Sequence, residues 1–244
     1  MAVSRILGFV TCANNAKVLT QRLLASPCLA HGVYSLAIHT GATSVGAAFN
    51  AEMKQFPQTE WLVWVHQDVF LPAGWDQRFI AALRDAQSLF PQLAVVGVYG
   101  VAGANSQMRR AGHVLDRGLL LREPTLLPCL VDSLDELLFA VRCDTHLMLD
   151  PDLGFDFYGT DIALTAQALG LNVAVVDAFC EHWAGMPRIG IAQPILDRIR
   201  ASGQLFEKKW AHRLPLGTPC FSINQVGDVA QQCHAFAQHQ RHGI

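Results

Sequence analysis

Trp61-Leu62-Val63-Trp64-Val65, running directly into His66-Gln67-Asp68, is the stretch from which the fold can be read. Five consecutive apolar residues leave no polar face, and the run is too short for a helix. Such a run marks a strand covered on both sides, as at the centre of a mainly parallel sheet. In an open α/β sheet, ligands sit beyond the carboxyl ends of the strands. His66, Gln67 and Asp68 therefore stand where chemistry is expected.

Outward from this strand, short apolar runs alternate with helical patterns. Toward the N-terminus, residues 6–10 read as a first strand, Asn14 or Asn15 as the cap of a helix over 16–24 ended by Ser26-Pro27, and residues 34–38 as a second strand. Val45, Ala48, Phe49, Met53 and Phe56 then share one face of a helix over 44–56, closed by Pro57. Toward the C-terminus, Trp75, Phe79, Leu83, Ala86 and Phe90 mark a long amphipathic helix over 74–90, followed by a strand over 94–101. Residues 102–131 lack helical period and hold Asp116-Arg117-Gly118 between apolar runs, an irregular hairpin excursion. A strand over 134–142, a helix over 162–169 stopped by Gly170, and a last strand over 173–176 follow, and the chain past Pro187 reads as helical. This order predicts a three-layer α/β/α domain. With no linker or repeat, all 244 residues read as one domain, with a core of about 4–185 and a C-terminal helical extension of about 186–244.

Composition narrows the function classes. The chain is 51% hydrophobic and 16% charged, which predicts a packed globule rather than disorder. A net charge of −2 offers no field for a polyanion, so nucleic acid is not an expected partner. Seven scattered cysteines without a C-x-x-C pair read as reduced thiols. The opening apolar run is broken early by Asn14, Asn15 and Lys17, and no run reaches membrane length, so a cytoplasmic protein without a transmembrane segment is expected. Neither G-x-x-x-x-G-K-[ST], nor G-x-G-x-x-G at a strand-to-helix turn, nor G-x-S-x-G occurs, which disfavours P-loop, dinucleotide and α/β-hydrolase chemistry.

Three segments hold candidate chemistry. Asp68 could hold a divalent cation, since Mg²⁺ and Mn²⁺ favour oxygen ligands and often bind through one or two carboxylates plus substrate phosphates. It suits a loop cap before Pro72 equally well. Asp161, in Phe155-Asp156-Phe157-Tyr158-Gly159-Thr160-Asp161, would sit in a first helical turn facing the same rim, where aromatic neighbours raise a carboxyl pKa and fit it for accepting a proton. Asp is also an ordinary residue at helix starts. His182, in Glu181-His182-Trp183 after the last strand, could complete a metal site with Asp68 or simply be a satisfied loop histidine. The other histidines, His31 among them, read as structural or solvated, and Lys208, Lys209 and Trp210 as a solvated helix face or part of an acceptor surface.

Together these segments resemble the family 2 glycosyltransferases of the GT-A fold, in the branch with His-Gln-Asp-Val, here His66 to Val69, in place of Asp-x-Asp. The resemblance runs from about Ile6 to Trp183 and includes Asp135 at the start of the strand before the catalytic loop. It implies a nucleotide-diphospho-sugar donor contacted by Asn14, Asn50, His66, Gln67, Asp68 and Asp135, with Mn²⁺ or Mg²⁺ on Asp68 and His182. It further implies an inverting transfer with Asp161 as base, to an acceptor that is saccharide, lipid-linked or protein. His66 departs from the family's aspartate. That departure keeps open a non-catalytic nucleotide-sugar binding or accessory protein, and the same cluster with water as acceptor would make a metal-dependent nucleotide-diphosphate hydrolase.

Overall fold

The computed structural model describes residues 6–30, 32–55, 58–183 and 191–242. His31, Phe56 and the expected helix stop at Pro57 lie outside the described residues, as does Pro187. The strands are β1 (Leu7–Ala13), β2 (Ser35–Thr40), β3 (Trp61–Val65), β4 (Val69–Phe70), β5 (Leu93–Gly97), β6 (Tyr99–Ala102), β7 (Arg109–Asp116), β8 (Leu119–Arg122), β9 (Cys129–Leu130), β10 (Ser133–Leu134), β11 (Leu138–Arg142), β12 (Asn172–Val175), β13 (Cys180–His182), β14 (Leu216–Gly217) and β15 (Ser222–Ile223). The helices are α1 (Ala16–Gln21), α2 (Pro27–Ala30), α3 (Val45–Gln55), α4 (Trp75–Leu89), α5 (Tyr158–Ala168), α6 (Gln193–Lys209) and α7 (Asp228–His242).

The central sheet has the order β2-β1-β3-β11-β5-β12-β9. β2, β1 and β3 run parallel, as do β5 and β12, whereas β11 is antiparallel to both β3 and β5, and β9 to β12. The sheet is thus mainly parallel with two reversed strands. β3 shows why its sequence has no polar face: Trp61, Val63 and Val65 pack under α1 and α4, while Leu62 and Trp64 pack under α3 and α5. A further apolar cluster joins Leu153, Phe157 and Leu164 to Leu196, Phe206 and Trp210 of the α6 segment and Val229 of α7.

Three expected elements are divided. The helix over 16–24 ends at Gln21, where Arg22 leaves helical geometry (φ −117°, ψ −84°), and a 3₁₀ turn at Leu23–Ala25 follows. Its cap is Asn15, whose Oδ1 accepts from the Val18 N–H at 3.1 Å. The strand over 94–101 becomes β5 and β6, and that over 134–142 becomes β10 and β11; in each case one half belongs to a second sheet, ordered β10-β6-β7-β13-β4 with β8 on β7. Apolar patterning runs unbroken through the first transfer at Val98, which is buried, whereas the second transfer carries the two acids Asp135 and Glu136 between Leu134 and Leu137. The hairpin at Asp116 is as expected: Arg117 (φ 48°) and Gly118 (φ 80°) are both left-handed, as a two-residue type I′ turn requires. Among the described residues no helix is long and apolar enough to cross a membrane.

α3 approaches the chain after Leu149 closely enough that a Cβ on Gly46 would lie 2.8 Å from the backbone of Asp150 and Pro151. Gly46→Ala should therefore destabilise by about 1–3 kcal/mol through overpacking, seen as a fall of roughly 2–10 °C in Tm.

Candidate active site

The second sheet assembles the site. β4 begins one residue after Asp68 and pairs antiparallel with β13, setting His182 opposite Val69, and the Trp183 N–H donates to the Asp68 carbonyl at 3.1 Å. β13 in turn pairs parallel with β7, with His182 in register with Asp116. His66 directly follows β3, and its N–H donates to the Leu137 carbonyl at 2.9 Å. Residues far apart in sequence are thereby held together by backbone pairing rather than by their own side chains.

His66, Asp68 and His182 form a cluster that could hold a metal ion. His182 Nε2 lies 3.3 Å from Asp68 Oδ1 and 3.4 Å from His66 Nδ1, and His66 Nδ1 lies 4.0 Å from Asp68 Oδ1. Neighbouring ligands of a six-coordinate ion at about 2.1 Å stand about 3 Å apart, so the two contacts of His182 would need only a small contraction, and His66 and Asp68 would need to approach by about 1 Å. The outer nitrogens are already engaged: His182 Nδ1 meets Asp116 Oδ1 at 2.8 Å, and His66 Nε2 meets the Tyr158 hydroxyl at 2.7 Å. Such outer partners orient metal-binding imidazoles and select the tautomer whose inner nitrogen is free to coordinate. Two imidazoles and one carboxylate suit a first-row transition ion better than Mg²⁺, which prefers oxygen alone.

Without metal the two histidines carry different charge. Burial, together with the charge of His182, lowers the pKa of His66 to about 4. Burial also works against a charge on His182, but its hydrogen bonds with Asp116 and Asp68 prevail and raise its pKa to about 10. Asp68 is held below the ordinary carboxylate value, since the His182 and His66 contacts outweigh burial.

A cavity of about 270 Å³ opens beside the cluster, bounded at one end by His66 and His182 and elsewhere by Asp116, Asp135, Glu136 and Asp156. Asp135 accepts from the Leu137 N–H at 2.9 Å, and burial raises its pKa. Asp156 receives both arms of Arg198, at 2.8 and 2.9 Å. Glu136 is raised well above the ordinary carboxyl value, first by burial and then by the charges of Asp156 and Asp135.

Gln67 and Asn14 lie together beyond β3 and β1: Gln67 Oε1 accepts from the Asn14 and Asn15 N–H groups, and its amide donates to Asn14 Oδ1 at 2.6 Å. Asn50 is not brought to the site, because its amide is spent on both backbone groups of Leu149, at 2.8 and 2.9 Å. Asp161 does sit in the first turn of α5, yet it is 1% exposed and is not among the described residues lining the cavity. Its Oδ1 accepts from Trp210 Nε1 at 2.7 Å and pairs with Lys209 Nζ at 2.8 Å. Burial raises its pKa while these two bonds oppose the rise. The expectation that Asp161 faces the rim of Asp68 is corrected on this point: α6, whose docking the sequence alone did not place, covers that side of α5. Asp116 and Glu136 had no distinguishing signal beyond a turn position and a neighbouring acid.

No family model matches the chain. Among curated proteins it is similar to the "ATP synthase subunits region ORF 6" protein of Fuscovulum blasticum, 28% identical over 181 residues, covering 67% of this chain and 71% of that protein. Among solved structures it is similar to GalNAc-T7 with UDP, GalNAc and Mn²⁺ (12% identity, TM-score 0.49, 97% of this chain and 55% of that one). It is also similar to S. aureus TarS 1-349 in complex with UDP (11% identity, TM-score 0.49, 96% of this chain and 71% of that one). Likeness at this level assigns neither a family nor an activity to the chain.

Metal binding should displace the proton on His182, so apparent Mn²⁺ affinity should rise with pH below about 10, with close to one proton released per ion in calorimetry run in buffers of different ionisation enthalpy. The sign for the metal-free protein is opposite: the stability contributed by charged His182 is full below about 6.5 and fades as pH rises through about 10. Asp68→Ala should abolish Mn²⁺ binding. Asp161→Ala should leave the Mn²⁺-induced rise in Tm intact while lowering Tm itself, since an unpaired buried Trp210 N–H costs about 1–3 kcal/mol.

Proposed function

We propose that the protein transfers a sugar from a nucleotide-diphospho-sugar to an acceptor hydroxyl, with His66, Asp68 and His182 holding a divalent cation for the donor's diphosphate. The observation that carries this reading is the arrangement of that cluster: three inward ligand atoms with outer partners on both imidazoles, at the carboxyl end of a buried central strand and at the end of a cavity lined with acids. A cation there supplies positive charge to oxygens on which negative charge develops as the nucleoside diphosphate departs. Mn²⁺ is the proposed ion, because two of its three ligands are imidazoles.

The residues divide along the resemblance noted in the sequence. At about 270 Å³ the cavity falls short of the roughly 300–1,000 Å³ that encloses a whole drug-sized ligand. It fits the transferred sugar and the attacking hydroxyl, while the nucleotide lies over the outer rim near Asn14 and Gln67. Asp135 lines the sugar end. His66 departs from the aspartate of Asp-x-Asp but would serve here as a third ligand, which supports a catalytic over a non-catalytic reading. The displacement is direct and inverting, with one base for the acceptor and the cation site for the leaving group. Asn50 takes no part, and Asp161 fastens α6 to α5.

Thermal unfolding with a panel of nucleoside diphosphates, with and without Mn²⁺, tests this. A ligand at a hundred times its Kd adds about 2.7 kcal/mol, a rise of roughly 5–10 °C for a domain of this size. One nucleoside diphosphate should give a Mn²⁺-dependent rise that Asp68→Ala abolishes. No rise with any of them would overturn the donor site.

A further inference from the structure

Resting on that reading, we infer that Glu136 is the residue that takes the proton from the attacking hydroxyl. Two of the other acids bounding the cavity are held by side chains: Asp116 bonds His182 and pairs with Arg117, and Asp156 is clamped by Arg198. Asp135 accepts the Leu137 N–H in its own turn and interacts with the charge of His182, which sets it toward the cation end. Glu136 has no ion-pair partner within 4.0 Å among the described residues and accepts from the backbone of Gly159. Its main chain is held on the site's framework: its carbonyl accepts from Trp64 Nε1 at 2.9 Å and from the Tyr158 hydroxyl at 3.4 Å, the same hydroxyl that meets His66. Gly159 permits this seat, because a Cβ there would stand 3.1 Å from Glu136 Cγ and 2.9 Å from the Leu134 carbonyl.

The charged groups acting on Glu136 come from three directions. Asp135 precedes it in the chain, Asp156 lies before α5, and Arg198 reaches in from α6; the two acids oppose its ionisation and Arg198 favours it. A carboxyl so placed is a stronger base than an exposed one, which suits it to take a proton from a hydroxyl. In the step, the hydroxyl oxygen bonds to the anomeric carbon as its proton passes to a Glu136 carboxylate oxygen. The bond from the anomeric carbon to the phosphate oxygen breaks, and its electron pair leaves with the nucleoside diphosphate.

The test measures nucleoside diphosphate release from a panel of nucleotide-sugars with Mn²⁺, offering water and p-nitrophenyl glycosides as acceptors, across pH 5–9, alongside diphosphate binding by thermal shift. Glu136→Gln should keep the Mn²⁺-dependent binding shift and lose on the order of 10²–10⁴-fold in release rate, together with the rise of rate with pH seen in the wild type. Glu136→Asp should regain part of the rate. A second readout needs no turnover. An enclosed carboxyl with a raised pKa binds its proton more tightly folded than unfolded, so its ionisation lowers stability as pH climbs from about 4.5 toward the folded value. Glu136→Gln should accordingly raise Tm over the wild type at pH 8 more than at pH 5. Wild-type release and pH profile in Glu136→Gln would overturn the inference, as would loss of release in Asp161→Asn with Glu136→Gln unaffected. Binding of a diphosphate without release from any nucleotide-sugar would overturn the base but not the binding site. Absence of any diphosphate binding by the wild type would overturn the transferase reading itself.

Discussion

The pairing of β4 with β13 is the contact on which the candidate site depends. Each strand is only two or three residues long, yet their register decides that His182 meets Asp68, and the parallel partnership of β13 with β7 decides that Asp116 meets His182. Short strands have little pairing energy of their own. They hold because Val69, Val114 and Cys180 are buried in the cluster that also contains Val65 and Leu138, so the second sheet is anchored to the core of the first.

That anchoring gives the site two electrical ends. At the histidine cluster, Asp68 and Asp116 favour positive charge on His182, an arrangement that equally favours a divalent ion in place of its proton. Elsewhere on the cavity, burial raises the proton affinity of Asp135 and Glu136, and for Glu136 the charges of Asp156 and Asp135 add to it. One end stabilises negative charge that arrives on a ligand, and the other is suited to accept a proton. Both are fixed by backbone elements, so little rearrangement is needed between them.

Asp161 shows where reading from local pattern stops. Its place in a first helical turn after an aromatic loop was legible, and α5 begins three residues before it. What the pattern did not contain was the partner across the turn. Trp210 and Lys209 follow Asp161 by nearly fifty residues and reach it only because α6 folds back over α5 around Phe206 and Leu196. Asn50 is a parallel case: its helix position was legible, and its amide is engaged by a loop ninety-nine residues away.

By itself the sequence determined the buried central strand, the helices that cover it, the hairpin at Arg117-Gly118 and the polar residues His66 and Asp68 at the strand's end, because burial periodicity and turn conformation are local properties of the chain. Only the tertiary structure decided that β11 runs against its neighbours, that two expected strands each cross from one sheet to another, and that Glu136 rather than Asp161 opens onto the cavity. Strand direction, sheet exchange and the accessibility of a carboxyl are set by which distant elements pack on a segment. An apolar run is equally apolar whichever sheet buries it, and an aspartate at a helix start carries no record of the tryptophan and lysine that will cover it.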